Sequence, residues 1–323
     1  MAATVAASKS YDLSGGALKE DLRDVIYDIS PMDTIFLTRA GRGTAKSTTH
    51  EWLTDALASA ASNAVVEGDA FTAVARANPS RLKNYTQISR KDFEVTGTTE
   101  AIDNAGMRSL MAYHTARAAK ELKRDMETDL LSANLATAGG SLSARVAAGV
   151  QAWIYLANHI DASTQTTATT SAPTSGFAKG PITAGSAVAL NEVDMKSALQ
   201  QAWSSGGETD VILCGPTLYN TISGFTGIAT RFRDVASKQQ AQIIGAADVY
   251  VSAFGSHNIV LSRYATSTTL YCLDMKTWEV AYLRPFKTQD IAKIGDADRR
   301  MLLAEWTLVA KSPTANTKIT AVS

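Results

Sequence analysis

Residues 100–136 read EAIDNAGMRSLMAYHTARAAKELKRDMETDLLSANLA. Apolar side chains recur in this stretch every three or four positions, which predicts a single amphipathic helix. They are Met107, Leu110, Met111, Ala118, Leu122, Met126, Leu130 and Ala133. Asp103 and Asn104 can cap the start of this helix, and Gly139 and Gly140 can stop it. About 30 residues at about 1.5 Å each predict a rod of roughly 45–50 Å.

The opposite face of the predicted helix carries charges of both signs. The charged residues are Arg117, Lys120, Glu121, Lys123, Arg124, Asp125, Glu127 and Asp129. Because charged side chains are almost never fully buried unless they are paired, this face predicts that the rod lies at a surface.

The stretch before the helix predicts a long β-hairpin. Residues 48–54, around Trp52, and residues 82–95 have strand patterns, and the 56–78 segment between them consists mainly of small residues. That segment has too little apolar surface to offset its ordering entropy, and an isolated hairpin is marginal in water. We therefore expect a neighbouring subunit to stabilise it, as in a structural building block rather than an enzyme built around a pocket.

Composition narrows the class of protein. The 323 residues are 45% hydrophobic, which is enough for a substantial core. Lys plus Arg and Asp plus Glu both number 31, so the chain lacks the basic excess of a tight DNA-binding protein. Cys214 and Cys272 lie in apolar strand-like runs and are interpreted as buried thiols of a reducing compartment. Neither a signal peptide nor a membrane-spanning run is evident, so we expect a soluble protein made in the cytosol.

The segments around the hairpin and the long helix predict shorter elements. A helix at 18–29 is ended by Pro31, and a flexible link follows at 41–47. A second amphipathic helix is predicted at 146–157, and the Ser/Thr-rich 163–185 segment is expected to be an exposed loop or insertion.

The second half of the chain predicts an α/β unit followed by strands. Asn191 caps a helix that Gly206 and Gly207 end, and a strand at 211–213 and a helix at 218–225 follow. The later strands are predicted at 249–251, 259–261, 270–273, 280–283 and 302–309.

Motifs for catalysis or cofactor binding find little support. The 41–47 stretch, GRGTAKS, has Ala45 where a phosphate-binding loop needs the glycine before its lysine. The 215–217 turn lacks two glycines of a dinucleotide-binding turn, the four histidines are not at metal-ligand spacing, and no G-x-S-x-G elbow occurs. The charged cluster at 296–300 is interpreted as a solvated turn or an intersubunit salt-bridge patch. We expect no catalytic, cofactor or metal site, and therefore not an enzyme.

A covalent link between subunits is the alternative to solvated lysine side chains. A neutral lysine can condense with an asparagine of a neighbour when a carboxylate takes up the proton. The candidates are Lys83 and Lys91, on the returning strand of the hairpin, and Asn316. The polar neighbours of both lysines favour hydration, so we expect the subunits to associate without covalent links.

Seven strings of residues occur in an order that points to a known family. They are DVIYDISP (24–31), GRGTAK (41–46), HEW (50–52), VTGT (95–98), KELKRDME (120–127), DVYVS (248–252) and AYLRPF (281–286). With them, nearly the whole chain resembles the major capsid proteins of tailed bacteriophages, which implies an α+β fold of the Hong Kong 97 type. The 163–185 segment is not covered and looks like a variable insertion.

The resemblance implies an anatomy of five regions. An N-terminal arm (1–46) precedes an extended β-hairpin loop (47–98). A peripheral domain (99–189) contains the spine helix and the variable insertion. An axial domain (190–247) follows, and residues 248–323 would supply the peripheral β-sheet and the C-terminus. The region before the matching strings is short, which implies that no scaffolding segment is fused to it.

The resemblance also implies a function and partners. Pentamers and hexamers would form an icosahedral head around double-stranded DNA without sequence-specific binding and without a membrane. Portal, scaffolding and decoration proteins would be partners, with assembly in the host cytoplasm and the final location in the virion. The alternative is an encapsulin-like nanocompartment shell of the same fold, which genomic neighbours would distinguish.

Overall fold

The computed structural model describes residues 33–70, 76, 78–102, 109–155, 158–164, 166–167, 173–180, 185–225, 249–293 and 295–323. Three predictions lie outside these ranges: the 18–29 helix, the caps Asp103 and Asn104, and the 226–248 part of the expected axial domain.

The described elements follow one another in this order. The helices are α1 (Ile35–Arg39), α2 (Gly97–Ala101), α3 (Leu110–Leu130), α4 (Val150–Trp153), α5 (Glu192–Ser204) and α6 (Pro216–Ser223). The strands are β1 (Gly41–Thr44), β2 (Thr49–Thr54), β3 (Ser80–Tyr85), β4 (Gln87–Thr96), β5 (His159–Asp161), β6 (Thr166–Thr167), β7 (Val211–Cys214), β8 (Val249–Ser252), β9 (Gly255–Leu261), β10 (Leu270–Leu273), β11 (Trp278–Ile291), β12 (Ala297–Ala310) and β13 (Thr317–Thr320).

These strands form two large sheets and one hairpin. The four-stranded sheet has the order β1-β11-β12-β4, and the seven-stranded sheet has the order β6-β5-β13-β10-β7-β9-β8. β2 and β3 pair antiparallel with each other, which confirms the predicted hairpin as far as Tyr85. The rest of the predicted returning strand is wrong as part of the hairpin, because it forms β4, which contains Lys91 and pairs with β12 in the four-stranded sheet. One apolar core packs α1, α3 and α4 against β11 and β12, and a second packs α5 and α6 against the seven-stranded sheet.

The long helix is shorter than predicted. Its 21 residues span about 30 Å. The Ser109 side chain caps its start by accepting a hydrogen bond from Ala112 N. The prediction that Gly139 and Gly140 end it is wrong, because the chain turns after Leu130. There the Leu131 carbonyl accepts hydrogen bonds from Gln151 Nε2 (3.1 Å) and the Tyr271 hydroxyl (2.9 Å), so tertiary contacts replace the next helical turn.

The apolar stripe is confirmed in the middle of this helix. Ala118, Leu122, Met126 and Leu130 are buried. Ala133, which the pattern placed on the same stripe, lies beyond the helix and is exposed.

Two further predictions need correction. The flexible link is wrong for residues 41–44, because these form β1 and pair in parallel with β11. The second amphipathic helix is wrong as well: among the described residues 146–155, only the four of α4 are helical, and all four are buried. A segment that is buried on every side gives no amphipathic face, so a hydrophobic pattern alone cannot set its bounds.

The α/β unit and the later strands are confirmed, but the expected boundary at residue 248 does not separate the sheets. Asn191 caps α5 through a hydrogen bond from Val193 N to Oδ1 (3.2 Å). Of the strands after residue 248, β8, β9, β10 and β13 join β7 in the seven-stranded sheet, and β11 and β12 lie in the four-stranded sheet. The chain therefore returns to the first sheet and then leaves it again after residue 310.

Candidate assembly surface

The base of the hairpin is anchored to its own protomer by Trp52. The indole Nε1 donates a hydrogen bond to Ala310 O at 2.9 Å, and the ring packs against that of Trp153 at a centroid distance of 5.4 Å. Leu82, on the paired strand, is buried in the same core. The expectation that a neighbouring subunit stabilises the hairpin is therefore wrong for its base, which packs on the core of its own protomer.

Asn84 adds a polar anchor on β3. It is fully buried, its Nδ2 donates to Leu308 O (2.8 Å) and Ala148 O (3.3 Å), and its Oδ1 accepts from Ala148 N (2.9 Å). An amide left unpaired in a core costs about 1–3 kcal/mol. These partners therefore fix the position of β3 relative to Leu308 and Ala148.

A buried carboxylate marks the point where the chain passes from β3 to β4. Glu305 Oε1 accepts hydrogen bonds from Thr86 Oγ1 (2.8 Å) and Arg145 Nη2 (2.5 Å), and Oε2 accepts one from Arg284 Nε (2.7 Å). Glu305 is 3% exposed. The carboxylate thus ties the hairpin, the loop after the long helix and β11 to one residue, and sequence patterns gave no signal for it.

The tip of the hairpin has the opposite character. Residues 55–70 are exposed throughout, and their hydrogen bonds are local, such as Asp69 N to Val66 O at 3.0 Å. The apolar side chains of the tip are exposed as well: Leu57 is 99% exposed, Val65 78% and Val66 80%. The tip therefore presents apolar surface that its own protomer does not cover.

The short helix α1, at the end of the expected N-terminal arm, is fixed to the long helix by Glu127. The prediction that Glu127 lies on the charged outer face is wrong, because the residue is fully buried. Its Oε1 accepts a hydrogen bond from Phe36 N (2.7 Å) and its Oε2 one from Leu37 N (2.8 Å), which satisfies unpaired amides at the start of α1. Burial raises the pKa of this carboxyl group despite those hydrogen bonds.

The three residues considered for a covalent link lie in different settings. Lys83 Nζ lies 4.8 Å from the centroid of the Phe177 ring, and Lys91 Nζ forms an ion pair with Asp125 at 2.6 Å. Asn316 is fully buried and bonds within its own chain: its Oδ1 accepts from Asp274 N at 2.9 Å. Each lysine thus has a partner in its own chain and is only partly exposed.

The charged cluster at 296–300 forms ion pairs within the protomer. Asp298 pairs with Lys293 at 2.6 Å, Arg299 with Glu94 at 2.9 Å, and Arg300 with Asp290 at 2.6 Å. The interpretation as a solvated turn is wrong for Asp298, Arg299 and Arg300, because these residues lie in β12, which pairs with β4 and β11.

Metal-binding clusters and membrane-spanning helices are two further kinds of feature. Among the residues placed by the structure, His, Cys, Asp and Glu side chains nowhere gather in a group of three or more that could hold a metal ion. Over the same ranges, none of the helices has both the length and the apolar character to cross a lipid bilayer.

A match to a family model shows the family of this chain. The model described as SU10 major capsid protein matches residues 3–323. The chain belongs to the SU10 major capsid protein family. A curated relative in keeping with this is the major capsid protein of Escherichia phage Phieco32. It is 26% identical over 340 residues, which cover 95% of this chain and 94% of the relative.

Solved structures show that this SU10-family chain has the Hong Kong 97-type fold. The capsid of a native GTA particle matches with a TM-score of 0.65 at 10% identity, covering 99% of this chain and 100% of that one. The cyanophage A-1(L) capsid matches with a TM-score of 0.66 at 12% identity, covering 94% and 97%. The phage G structure of gp27 major capsid and gp26 decoration proteins matches with a TM-score of 0.56 at 9% identity, covering all of both chains.

Family and fold together give the function. The chain is a major capsid protein and forms the capsid shell of a tailed phage. None of these matches favours the encapsulin-like alternative over the phage shell. As a structural protein of the virion, it works through surfaces that contact other subunits, and the hairpin tip is the exposed surface described above.

Proposed function

We propose that this capsid protein builds its shell from pentamers and hexamers whose subunits are joined by the extended hairpin (47–98) and the N-terminal arm (1–46). The contrast within the hairpin carries this proposal. Its base is held by Trp52, Asn84 and Glu305, whereas its tip exposes Leu57, Val65 and Val66. A neighbouring protomer that covers the tip would remove this apolar surface from water.

We also assign the five regions of the chain to roles in the shell. Residues 99–189, with α3, and the four-stranded sheet form the peripheral domain. Residues 190–247, with α5, α6 and β7, form the axial domain at the centre of each capsomer. Because β8, β9, β10 and β13 extend the sheet of β7, the 248–323 region contributes to both domains.

The shell encloses double-stranded DNA without reading its sequence. The equal numbers of acidic and basic residues, 31 each, support confinement by the wall rather than tight binding. The protein has a structural role, with neither an enzymatic activity nor a cofactor. Portal, scaffolding and decoration proteins are its partners, and assembly takes place in the host cytoplasm.

Serine substitutions at the tip test the role of the hairpin. The double variant Val65→Ser/Val66→Ser should keep the melting temperature of the unassembled subunit but lower the yield of capsomers and shells in light scattering and electron microscopy. Leu142→Ser is a matched control, because Leu142 is fully exposed but lies outside the hairpin. Equal yields of shells from the double variant and the control would refute the proposal.

Electrophoresis tests whether the shell is held without covalent links. Boiled particles should run in a denaturing gel as a single band near 34.3 kDa. A ladder of larger species, with Lys83 or Lys91 in a cross-linked peptide by mass spectrometry, would contradict this expectation.

A further inference from the structure

The variable insertion is closed at its stem by one carboxylate. Asp161 Oδ1 accepts hydrogen bonds from Ser163 N (3.0 Å) and Ser163 Oγ (2.7 Å), and Oδ2 accepts one from Gly185 N (3.1 Å). Burial opposes ionisation of Asp161, but these hydrogen bonds outweigh burial and lower the pKa of the carboxyl group. The two ends of the segment are therefore joined to β5.

Within the insertion, residues 173–180 form a tight turn, which we call the brace turn. Thr174 and Phe177 exchange two backbone hydrogen bonds of 3.1 Å. The two residues between them, Ser175 and Gly176, have φ angles of 53° and 85°. Two consecutive positive φ angles are typical of a type I′ turn, which gives this part of the segment a defined shape.

The brace turn contacts the edge of β3 that β2 leaves open. Lys83 N donates a hydrogen bond to Gly176 O at 2.9 Å. The Phe177 ring stacks on that of Tyr85 with centroids 4.6 Å apart, and Lys83 Nζ lies 4.8 Å from the centroid of the same Phe177 ring. Gly176 approaches the strand so closely that an added Cβ would lie 2.5 Å from Arg81 O. This insertion is therefore more than an exposed loop.

The other side of the brace turn is fixed to the body of the protomer. Ala178, the residue after Phe177, is buried in the core that packs around α3. The hairpin is thus held at its base by Trp52 and Asn84 and along one strand by the brace turn.

We propose that the brace turn holds the hairpin in a fixed direction in the free subunit, before a neighbouring subunit binds its tip. This proposal rests on the proposed role of the hairpin in assembly. A two-stranded hairpin is marginal in water, and a third element on its open edge adds a backbone hydrogen bond, an aromatic stack and a cation–π contact. Ordering the hairpin in advance reduces the entropy that assembly must remove.

Amide hydrogen exchange of unassembled subunits tests the brace directly. Phe177→Ala removes the aromatic stack and should speed exchange in β3, at the Lys83 amide above all, by about tenfold. Gly176→Ala should have a similar effect, because its φ of 85° and the nearby Arg81 O both oppose a side chain. Thr174→Ala is the matched control, since Thr174 is exposed and pairs through its backbone.

The outcomes separate the brace from the proposed function. Exchange in β3 within about twofold of wild type for both Phe177→Ala and Gly176→Ala would overturn the brace. If Phe177→Ala also speeds exchange in α3, the substitution has loosened the whole fold. In that case the exchange rate of β3 in Gly176→Ala decides whether the brace turn holds the hairpin. Failure of the wild-type tip to gain protection in assembled shells would instead count against the hairpin's role in assembly and leave the brace intact.

Discussion

The base and the tip of one hairpin are stabilised in different ways. At the base, Trp52, Asn84 and the link to Glu305 are fixed by contacts within the protomer. At the tip, residues 55–70 are exposed and form local hydrogen bonds. A substitution at the base should therefore act on the folding of the subunit, whereas a substitution at the tip should act on the shell.

The largest effect that we expect concerns Lys318, in β13, and depends on pH. Lys318 is fully buried, and its Nζ donates to Gln151 O at 2.6 Å. Burial lowers the pKa of this amine from 10.5 to about 7. Between these values the unfolded chain binds a proton that the folded chain does not, so stability rises with pH across this window. Below about pH 7 both states carry the proton, so the full cost of burying the charged amine lowers the stability of the folded subunit.

Lys318→Met should remove this pH dependence. The free energy of unfolding of wild type, relative to the variant, should rise by roughly 5 kcal/mol in total across the window, or about 1.4 kcal/mol per pH unit. Denaturant unfolding of the unassembled subunit from pH 7 to pH 10 measures the slope. Lys276→Met, at an exposed lysine, is the control and should keep the wild-type slope. Parallel curves for wild type and Lys318→Met would contradict the expectation.

At the base of the hairpin, Trp52→Ala should destabilise the unassembled subunit by about 3 kcal/mol, because it removes a partly buried ring and the hydrogen bond to Ala310 O. Its neighbour Leu53, 67% exposed, provides the control variant Leu53→Ala. Denaturant unfolding measures both variants. Equal losses from the two would show that the buried contacts of Trp52 do not anchor the base of the hairpin.

Glu305→Gln should cost somewhat less, about 2 kcal/mol, because Arg145 and Arg284 lose a charged partner but remain partly solvated. Glu208→Gln breaks an exposed ion pair with Lys276 and should change stability by less than about 0.5 kcal/mol. Thermal unfolding of the unassembled subunit compares them. A loss as small as that of Glu208→Gln would show that Glu305 does not anchor the hairpin.

The smallest change in stability is expected at the tip. Leu57→Ser should alter the free energy of unfolding of the subunit by less than about 0.5 kcal/mol, since the side chain is 99% exposed. The same variant should reduce the yield of shells seen by electron microscopy. A destabilised subunit would mean that the tip packs on its own protomer after all.

Local signals in the sequence located many elements of the fold. The strand pattern around Trp52 and the Asn191 cap of α5 were predicted correctly, because alternation and capping depend on neighbouring residues. The burial of Glu127 could not be predicted in this way, since its partner Phe36 lies 91 residues away.

The insertion shows the same limit. Its Ser/Thr-rich composition suggested an exposed loop, yet Phe177 stacks on Tyr85, about 90 residues earlier in the chain. Phe177 is the only aromatic residue of the 163–185 segment, and it was the one signal that this stretch packs on another part of the protein. The division of the strands between two sheets was missed because it depends on pairing between distant segments.

The position of β13 has a consequence for the timing of synthesis. This strand lies between β5 and β10, and its register pairs Lys318 with His159 and Ile319 with Ile160. A ribosome that adds about 5–20 residues per second needs roughly 8–30 s to make the chain between the two strands. During that interval β5 lacks β13, its partner on one side, so the seven-stranded sheet closes only after β13 has been translated. We therefore expect this sheet to be completed, and the subunit to become competent to join the shell, only once β13 is available to pair.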